Sequence, residues 1–155
     1  MNLTLRRRLA VLRHPRERGS ALVEFTFLGV LLVVPLVYLV LTLARIQAGA
    51  YAASTAAREA GRAFVTADSA DRAEDRALAA ARIAFEDQGF TPHQATLALR
   101  CDGTPCLRPE GRVEASTAVT VPLPLVPAFA RDVLPLQVPI RASHVAVVDR
   151  FRGRP

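Results

Sequence analysis

The sequence is poor in the residues from which metal centres and catalytic sites are usually built. It contains three histidines and two cysteines, and it has no tryptophan. No histidine stands at metal-ligand spacing from another histidine or from a cysteine. No serine lies in a Gly-x-Ser-x-Gly motif or a comparable nucleophile context. We therefore predict that the protein is not an enzyme and that it uses no metal and no cofactor.

Lysine is also absent, so all 20 basic residues are arginine, which with the alanine-rich composition fits a G+C-rich genome. Six arginines fall within the first eighteen residues, where Glu17 is the one acid. A net charge of +6 would suit nucleic acid, but no aromatic residue is interleaved with this basic cluster. Because the cluster precedes an apolar run, we interpret residues 1–19 as a cytoplasmic leader that orients the chain, and we predict no nucleic-acid partner.

Charged side chains are absent from residues 25–44, and nearly every residue there is apolar. A helix of that length spans roughly 30 Å, the thickness of the hydrocarbon core of a lipid bilayer. We predict one membrane-spanning helix, with a kink at Pro35, because proline lacks an N–H and its ring clashes with the preceding turn. The run is longer than the core of a secretory signal, although Ala48-Gly49-Ala50 leaves a cleavable signal open.

Helical composition continues beyond the span, so residues 20–66 are predicted to form one long helix. Past residue 44, small residues repeat at every fourth position. An apolar stripe there is formed by Ile46, Ala53, Ala57, Ala60 and Phe64, and off it lie Arg45, Arg58, Glu59 and Arg62. Two interpretations stay open: an alanine-rich helix from an alanine-rich genome, or a helix that packs against copies of itself or related subunits.

Residues 67–150 are predicted to form a small exported domain that starts with a second helix. This helix is capped at Asp68-Ser69 and stopped by Gly89. Its apolar face is formed by Ala73, Ala77, Ala80, Ala81, Ala84 and Phe85. We interpret its acids Asp71, Glu74 and Asp75, interspersed with Arg72 and Arg76, as a solvated face.

Period-two alternation then predicts strands over residues 95–100, 112–121 and 136–147. Pro139 indicates an edge strand or a bulge. The apolar phase of the last strand is expected to shift near Ser143-His144 and to resume with Val145 and Val147. One helical turn is expected at residues 128–132, and residues 151–155 are expected to be a mobile basic tail.

Cys101 and Cys106 both lie beyond the span, five residues apart. Cysteines in an exported domain most often pair, and the Asp-Gly and Thr-Pro turn signals between them suit a tight loop. Half a zinc site is the alternative, but no second cysteine pair or nearby histidine completes one. We predict a disulfide, which closes an α+β domain made of a helix and a small antiparallel sheet.

The junction between leader and span reads Arg18-Gly19, then Ser-Ala-Leu-Val, then Glu24-Phe25. An acid at the centre of a bilayer costs roughly 2.5–3.5 kcal/mol, and less near its edge, so Glu24 should have a partner or a purpose. If the chain were cut between Gly19 and Ser20, the new α-amino group would lie one helical turn from Glu24. The ammonium and the carboxylate would then neutralise each other, within one chain or between neighbouring chains.

This junction resembles type IV prepilins, in which a basic leader ends in Gly, four residues intervene, and Glu precedes a long apolar helix. Within that group the chain most resembles the TadE-like minor prepilins, or pseudopilins, of the tight-adherence (Flp, type IVb) pilus system. These pair a Glu-aromatic step with a short span and carry an exported domain. The stretch at residues 56–62 and the closing pattern at residues 138–150 are also similar to that family. Ser20 departs from the Phe that many type IV pilins place first.

The resemblance implies a pilin-like α+β fold and a minor subunit or assembly factor of a Flp pilus. It implies that Gly19 and Ser20 flank the cut of a prepilin peptidase, and that Glu24 and Phe25 guide processing or subunit alignment. It also implies sister minor prepilins and the major Flp pilin as partners, and the cytoplasmic membrane as the location. The alternative is an uncleaved, signal-anchored binding module of the cell envelope. Such a module would show a ligand cleft in the domain and no processing at Gly19.

Overall fold

The computed structural model of the protein describes residues 17–124 and 137–152, with the backbone alone for residues 17–20. Within these residues the fold is α+β: a long apolar N-terminal helix, a second helix and a three-stranded antiparallel sheet. The predicted fold class is therefore confirmed. The chain forms two units, one ending at Val40 and the other beginning at Leu41. The helical turn expected at residues 128–132 lies outside the described residues.

The first helix, α1, spans Glu17–Val65 and contains Pro35, close to the predicted limits. In the unit that ends at Val40, every side chain from Ala21 onward is exposed. A helix that is apolar all round needs an apolar environment. By length and composition, α1 is a candidate membrane span, and its most apolar stretch is not buried within the chain. The kink at Pro35 stays a prediction.

The sheet consists of β1 (Ala95–Cys101), β2 (Arg112–Pro122) and β3 (Gln137–Val147), with β2 in the centre. Both pairings are antiparallel and unbroken. Pro139 lies on the edge strand β3 opposite Thr120, so the predicted edge position is confirmed and no bulge is formed there. An edge strand tolerates proline because one side of its backbone has no strand to bond.

One face of the sheet packs on α1, and α1 contributes mostly small side chains to the core between them. A methyl group at Gly61 would lie 3.2 Å from Cβ of Ala146, and one at Gly49 would overlap Val121. The alanines of α1 that lie almost completely inside this core are Ala52, Ala53, Ala56, Ala57 and Ala60. The stripe therefore serves packing within the chain, and the interpretation that these alanines contact other subunits is wrong because they are already covered.

The second helix, α2, spans Ala70–Asp87. Ser69 occupies the predicted N-cap position with extended backbone, but its hydroxyl forms no capping hydrogen bond. At the other end Gly89 has a φ of +70°, and its N–H donates to the carbonyl of Glu86 at 2.9 Å. The N–H of Phe90 donates to the carbonyl of Phe85 at 3.0 Å. This pair of bonds is a Schellman motif, and it confirms the predicted stop at Gly89.

The phase shift expected in β3 does not occur. Ala146 is buried, whereas Val145 and Val147 are 52% and 55% exposed, on the opposite face. The expectation was wrong because the unbroken ladder with β2 fixes which side chains of β3 point inward. His144 takes the inward position, where the missing side chain of Gly61 leaves room for its ring.

The end of the chain is partly anchored. Arg152 donates to the carbonyl of Val65 at 2.8 Å and also to the carbonyl of Ala67. The N–H of Phe151 donates to Oδ1 of Asp149 at 2.8 Å. These bonds involve the first two residues of the predicted tail; the mobility of the tail stays a prediction, and residues 153–155 lie outside the described residues.

Candidate processing and assembly site

The first turns of α1 bring the residues of the predicted junction onto one short stretch of helix. Gly19 and Ser20 lie in the helical backbone that the structure describes from Glu17 onward.

Glu24 lies four residues after Ser20, on the same side of α1. Its side chain is exposed and forms no hydrogen bond or ion pair with the side chains that the structure describes. Because Cα–Cβ bonds in a helix tilt toward its N-terminus, the Glu24 carboxylate leans toward Ser20. An α-amino group created at Ser20 would be within reach of it.

The neighbours of Glu24 leave it as the isolated charge of this segment. Phe25 is 79% exposed. The hydroxyl of Thr26 donates to the carbonyl of Leu22 at 2.8 Å, so the polar group of Thr26 is satisfied inside the helix. From residue 21 to residue 44, Glu24 is the one charged residue in the sequence.

In the domain, Arg45 holds the C-terminal end of α2, a role that the sequence did not reveal. Its Nη1 donates to the carbonyl of Gln88 at 3.3 Å, and its Nη2 donates to the carbonyl of Gly89 at 3.1 Å. Its guanidinium carbon lies 4.6 Å from the ring centre of Phe90. Carbonyls at the end of a helix carry partial negative charge and lack partners within it, so a cation stabilises them. Arg45 was expected to lie off the packed stripe, but it is half-buried.

Arg152 stabilises the C-terminal end of α1 in a similar way, because it donates to the carbonyls of Val65 and Ala67. Arg76 adds a longer bond of 3.5 Å to the carbonyl of Thr66. No local sequence pattern predicted the bonds of Arg45 or Arg152. The bonded carbonyls lie more than 40 positions away in the sequence from Arg45 and more than 80 from Arg152.

Thr117 is the one polar residue among the buried residues that the structure describes. Its hydroxyl donates to the carbonyl of Ala53 in α1 at 2.8 Å and lies 3.3 Å from the carbonyl of Ala142 in β3. The hydroxyl thus joins helix and sheet inside an otherwise apolar core. The alternating pattern of β2 predicted that this position faces inward, but not its partner.

The predicted disulfide between Cys101 and Cys106 is present, with the two Cα atoms 5.4 Å apart. The loop that it closes is braced by an ion pair of 3.0 Å between Arg108 and Asp102. A hydrogen bond from the backbone of Arg112 and the positive charge of Arg108 hold the pKa of Asp102 below its usual range. The loop is thus held by the disulfide and also by the ion pair between Arg108 and Asp102.

The domain has a small apolar cleft between α2 and the edge strand β1. Its volume is about 270 Å³, and Arg82 and Glu86 stand among apolar side chains along it. The apolar residues that line it are Leu78, Ala81, Phe85, Phe90, Pro92, Ala95 and Leu97. Ligand pockets commonly measure about 300–1,000 Å³, so this cleft suits only a small or partly inserted group. In the described ranges, no three His, Cys, Asp or Glu residues group in a way that can hold a metal ion.

Comparison with known proteins gives no match to a protein-family model, to a curated protein or to a solved structure. The geometry of α1 and of the domain therefore carries the functional assignment.

Proposed function

We propose that the protein is a TadE-like minor pilin subunit or assembly factor of a Flp-type pilus, and that a prepilin peptidase cuts it between Gly19 and Ser20. The observation that carries this proposal is Glu24. It is exposed on an apolar helix, has no partner among the described side chains, and lies five positions after Gly19. A carboxylate beside lipid must be neutralised, and an α-amino group at Ser20 supplies the missing positive charge.

The cut also changes how strongly the chain is held in the membrane. Hydrolysis of the bond after Gly19 removes the six arginines of residues 1–18. These charges resist withdrawal through the bilayer, because each would have to cross the hydrocarbon core. After the cut, the N-terminal end carries one ammonium paired with Glu24, and the helix can leave the membrane for an assembly at lower cost.

The exposed apolar part of α1 supports an assembly role. The side chains of residues 21–40 are exposed. In the membrane, lipid covers this surface; in a filament, the helices of neighbouring subunits would cover it. We propose the prepilin peptidase, sister minor prepilins and the major Flp pilin as partners, and an orientation with the leader in the cytoplasm and the domain outside.

The absence of lysine gives a direct test of the cut. Since the chain has no lysine, its α-amino group is the only primary amine that an amine-reactive label can modify. The full-length protein would be expressed in membranes with and without a prepilin peptidase, labelled, digested and analysed by mass spectrometry. We expect the labelled peptide to begin at Ser20 only when the peptidase is present. A label on Met1 in both samples, or on a residue near Tyr51, would contradict the proposal.

A matched pair of glycine variants separates recognition of the cut from general effects on the helix. Gly19→Val should leave Met1 labelled, because the side chain obstructs the bond to be cut. Gly29→Val makes the same exchange at a position where an added Cβ meets nothing within 4 Å, so it should be cut normally. Equal processing of the two variants would remove Gly19 from the proposed site.

Glu24 is tested separately from the cut. Glu24→Val should leave membrane insertion intact and lower the number of pili, whereas Glu24→Asp keeps the charge and should retain more of them. Unchanged pilus number in Glu24→Val would remove Glu24 from its role in assembly.

The cleft between α2 and β1 is the observation that favours the alternative, an uncleaved envelope-binding module. This function predicts that Met1 is retained and that Leu97→Glu, which places a charge in the cleft, abolishes binding to isolated envelope material. If Ser20 is the mature N-terminus and Leu97→Glu has no effect on binding, the alternative is excluded.

A further inference from the structure

The last turn of the predicted membrane span belongs to the same unit as the domain. This unit begins at Leu41, and the uncharged run of α1 ends at Ala44. Leu41 and Leu43 are 45% and 52% exposed. The unit therefore has one end that carries apolar helix, and the other elements of the domain can be placed relative to that end.

The central strand β2 runs antiparallel to α1. Near the start of the domain, an added methyl group at Gly49 would overlap Val121. Further along α1, a methyl group at Gly61 would lie 3.8 Å from Cβ of Ala115. The residue numbers thus rise along α1 as they fall along β2. The last residues of β2 therefore lie beside the part of α1 that follows the span.

The rise of helix and strand gives the height of the end of β2 above the span. Five residues of helix separate Ala44 from Gly49, which corresponds to about 7.5 Å. Two residues of extended chain lead from Val121 to Leu123, which corresponds to about 6.6 Å. Leu123 thus lies level with Ala44 along the axis of α1. The headgroup layer outside the hydrocarbon core is about 5–7 Å thick, so this level lies at its inner boundary.

The composition of the sheet changes along its length. The described residues nearest the span are 119–124 and 137–140, and none of them is charged; we call them the uncharged end of the sheet. Leu123 and Pro124 are half-buried, so part of each side chain is open to the surroundings. A surface in water is normally rich in charge, whereas an uncharged apolar surface suits contact with lipid. The charged side chains of the sheet all lie further from the span: Arg100, Arg112, Glu114 and Arg141.

We propose that the uncharged end of the sheet lies on the lipid bilayer that α1 spans, with Leu123 in the headgroup layer. The contact gives the domain a second attachment to the membrane, far from the span in the sequence. It also fixes which end of the domain is turned outward, namely the end with the disulfide loop. The contact requires that α1 spans a bilayer, as the proposed function does, but it does not require the cut after Gly19.

Fluorescence quenching by brominated lipids tests the depth of Leu123. The full-length protein would carry one environment-sensitive fluorescent amino acid at position 123, in vesicles of phosphatidylethanolamine and phosphatidylglycerol. Two reference positions are Leu36 in the span and Val147, an exposed apolar residue at the far end of β3. Lipid brominated at the headgroup end of its acyl chains should quench the probe at 123 about threefold more than the probe at 147.

The reference positions separate failure of this contact from failure of the span. Strong quenching at 36 with equally weak quenching at 123 and 147 would overturn the contact alone. No quenching at 36 would show that α1 does not span the membrane, and would overturn the contact and the proposed function together. Circular dichroism checks that each variant folds, and position 124 takes the probe if the variant at 123 does not fold.

An added charge tests the same contact with the probe at Pro124. Leu123→Glu should lower the quenching of this probe about threefold, because a carboxylate is disfavoured beside hydrocarbon. Val147→Glu also replaces an apolar residue by an acid, but at the far end of the sheet, and it should leave the quenching unchanged. Undiminished quenching in Leu123→Glu, or an equal loss in both variants, would overturn the proposal.

Discussion

At the scale of single residues, the domain is held by a few polar groups that each have a defined backbone partner. Thr117, Arg45 and Arg152 all donate to carbonyl oxygens that lie far away in the sequence. Each of these bonds joins two elements that are distant in the sequence, so each donor does more than add one local contact. Substitutions that remove these donors should therefore act on stability out of proportion to their size.

Thr117→Val keeps the shape of the side chain and removes the hydroxyl that bonds Ala53. We expect a loss of about 1–2 kcal/mol in the free energy of unfolding, because the carbonyl is left without this donor in a buried site. Urea unfolding of the full-length protein in detergent, followed by circular dichroism, measures it. Thr120→Val changes a half-buried threonine on the opposite face of β2 and should cost less than about 0.5 kcal/mol. Equal losses in the two variants would show that the hydroxyl of Thr117 has no special role.

Asp102 should make the disulfide loop sensitive to acid. Its pKa is lower in the folded protein than in an unfolded chain, so its stabilising contribution is present above the unfolded value, about 3.9, and is lost as the pH falls through the folded value. A carboxyl titration by NMR should place the midpoint of Asp102 below that of an ordinary aspartate. Arg108→Gln should raise this midpoint only part of the way, because the hydrogen bond from the backbone of Arg112 remains. A midpoint at or above the ordinary value in the unsubstituted protein would contradict the prediction.

At the scale of elements, the ends of the two helices are set by long-range bonds as well as by local sequence. Gly89 ends α2 through its left-handed backbone, and Arg45 donates to the carbonyls of Gln88 and Gly89, the two residues that follow the helix. The long helix α1 and the short helix α2 are thereby joined at a point that neither sequence pattern marks.

Arg45→Ala should loosen the end of α2 without unfolding the domain. We expect a loss of about 1–2 kcal/mol in local stability, because the variant removes two charge-assisted bonds and the contact with the ring of Phe90. Hydrogen exchange followed by mass spectrometry should then show faster exchange at residues 85–90. Arg58→Ala removes an exposed arginine whose one described bond, to Thr55, stays within α1, and it should leave that exchange unchanged. Unchanged protection in Arg45→Ala would mean that Gly89 alone secures the end of α2.

The elements that the sequence predicted well are those with local signals. The uncharged run of α1, the glycine after α2 and the proline on the edge strand each act through their own backbone or their nearest neighbours. The phase of β3 could not be predicted, because it is set by pairing with β2 and by the space that Gly61 leaves for His144. The residues of the candidate site share one helical segment, so their spacing alone placed Glu24 relative to Gly19. The partners of Arg45 and Thr117 depend on tertiary contacts and had no signal in the sequence.

At the scale of the whole molecule, the two units have opposite relations to their surroundings. Residues 21–40 are mostly apolar and their side chains are exposed, whereas the domain encloses its own core of alanine, valine and phenylalanine. The apolar side chains of the first unit are therefore left uncovered within it, and those of the second unit are largely enclosed by the domain itself.

Substitution of two glycines of α1, one in each unit, should show that only the second unit packs tightly around the helix. Gly49→Ala should destabilise the domain by about 1–3 kcal/mol, because the added methyl group would overlap Val121 and lie 3.1 Å from Ile140. Gly29→Ala adds the same methyl group where nothing lies within 4 Å, and it should leave the unfolding of the domain unchanged. Urea unfolding of both full-length variants in detergent compares them directly. Equal effects would contradict the close approach of α1 and β2 at Gly49.

The core between α1 and the sheet is filled on the helix side mainly by the methyl groups of alanines and by two glycines, together with Phe64. At the two glycines, an added side chain would meet side chains of the sheet at close range. Divergence of this interface during evolution should therefore proceed by compensated exchanges. Where a relative has a larger residue in place of Gly61, it should have a smaller one in place of His144 or Ala146, and such linked changes would trace the descent of the domain even where overall similarity has faded.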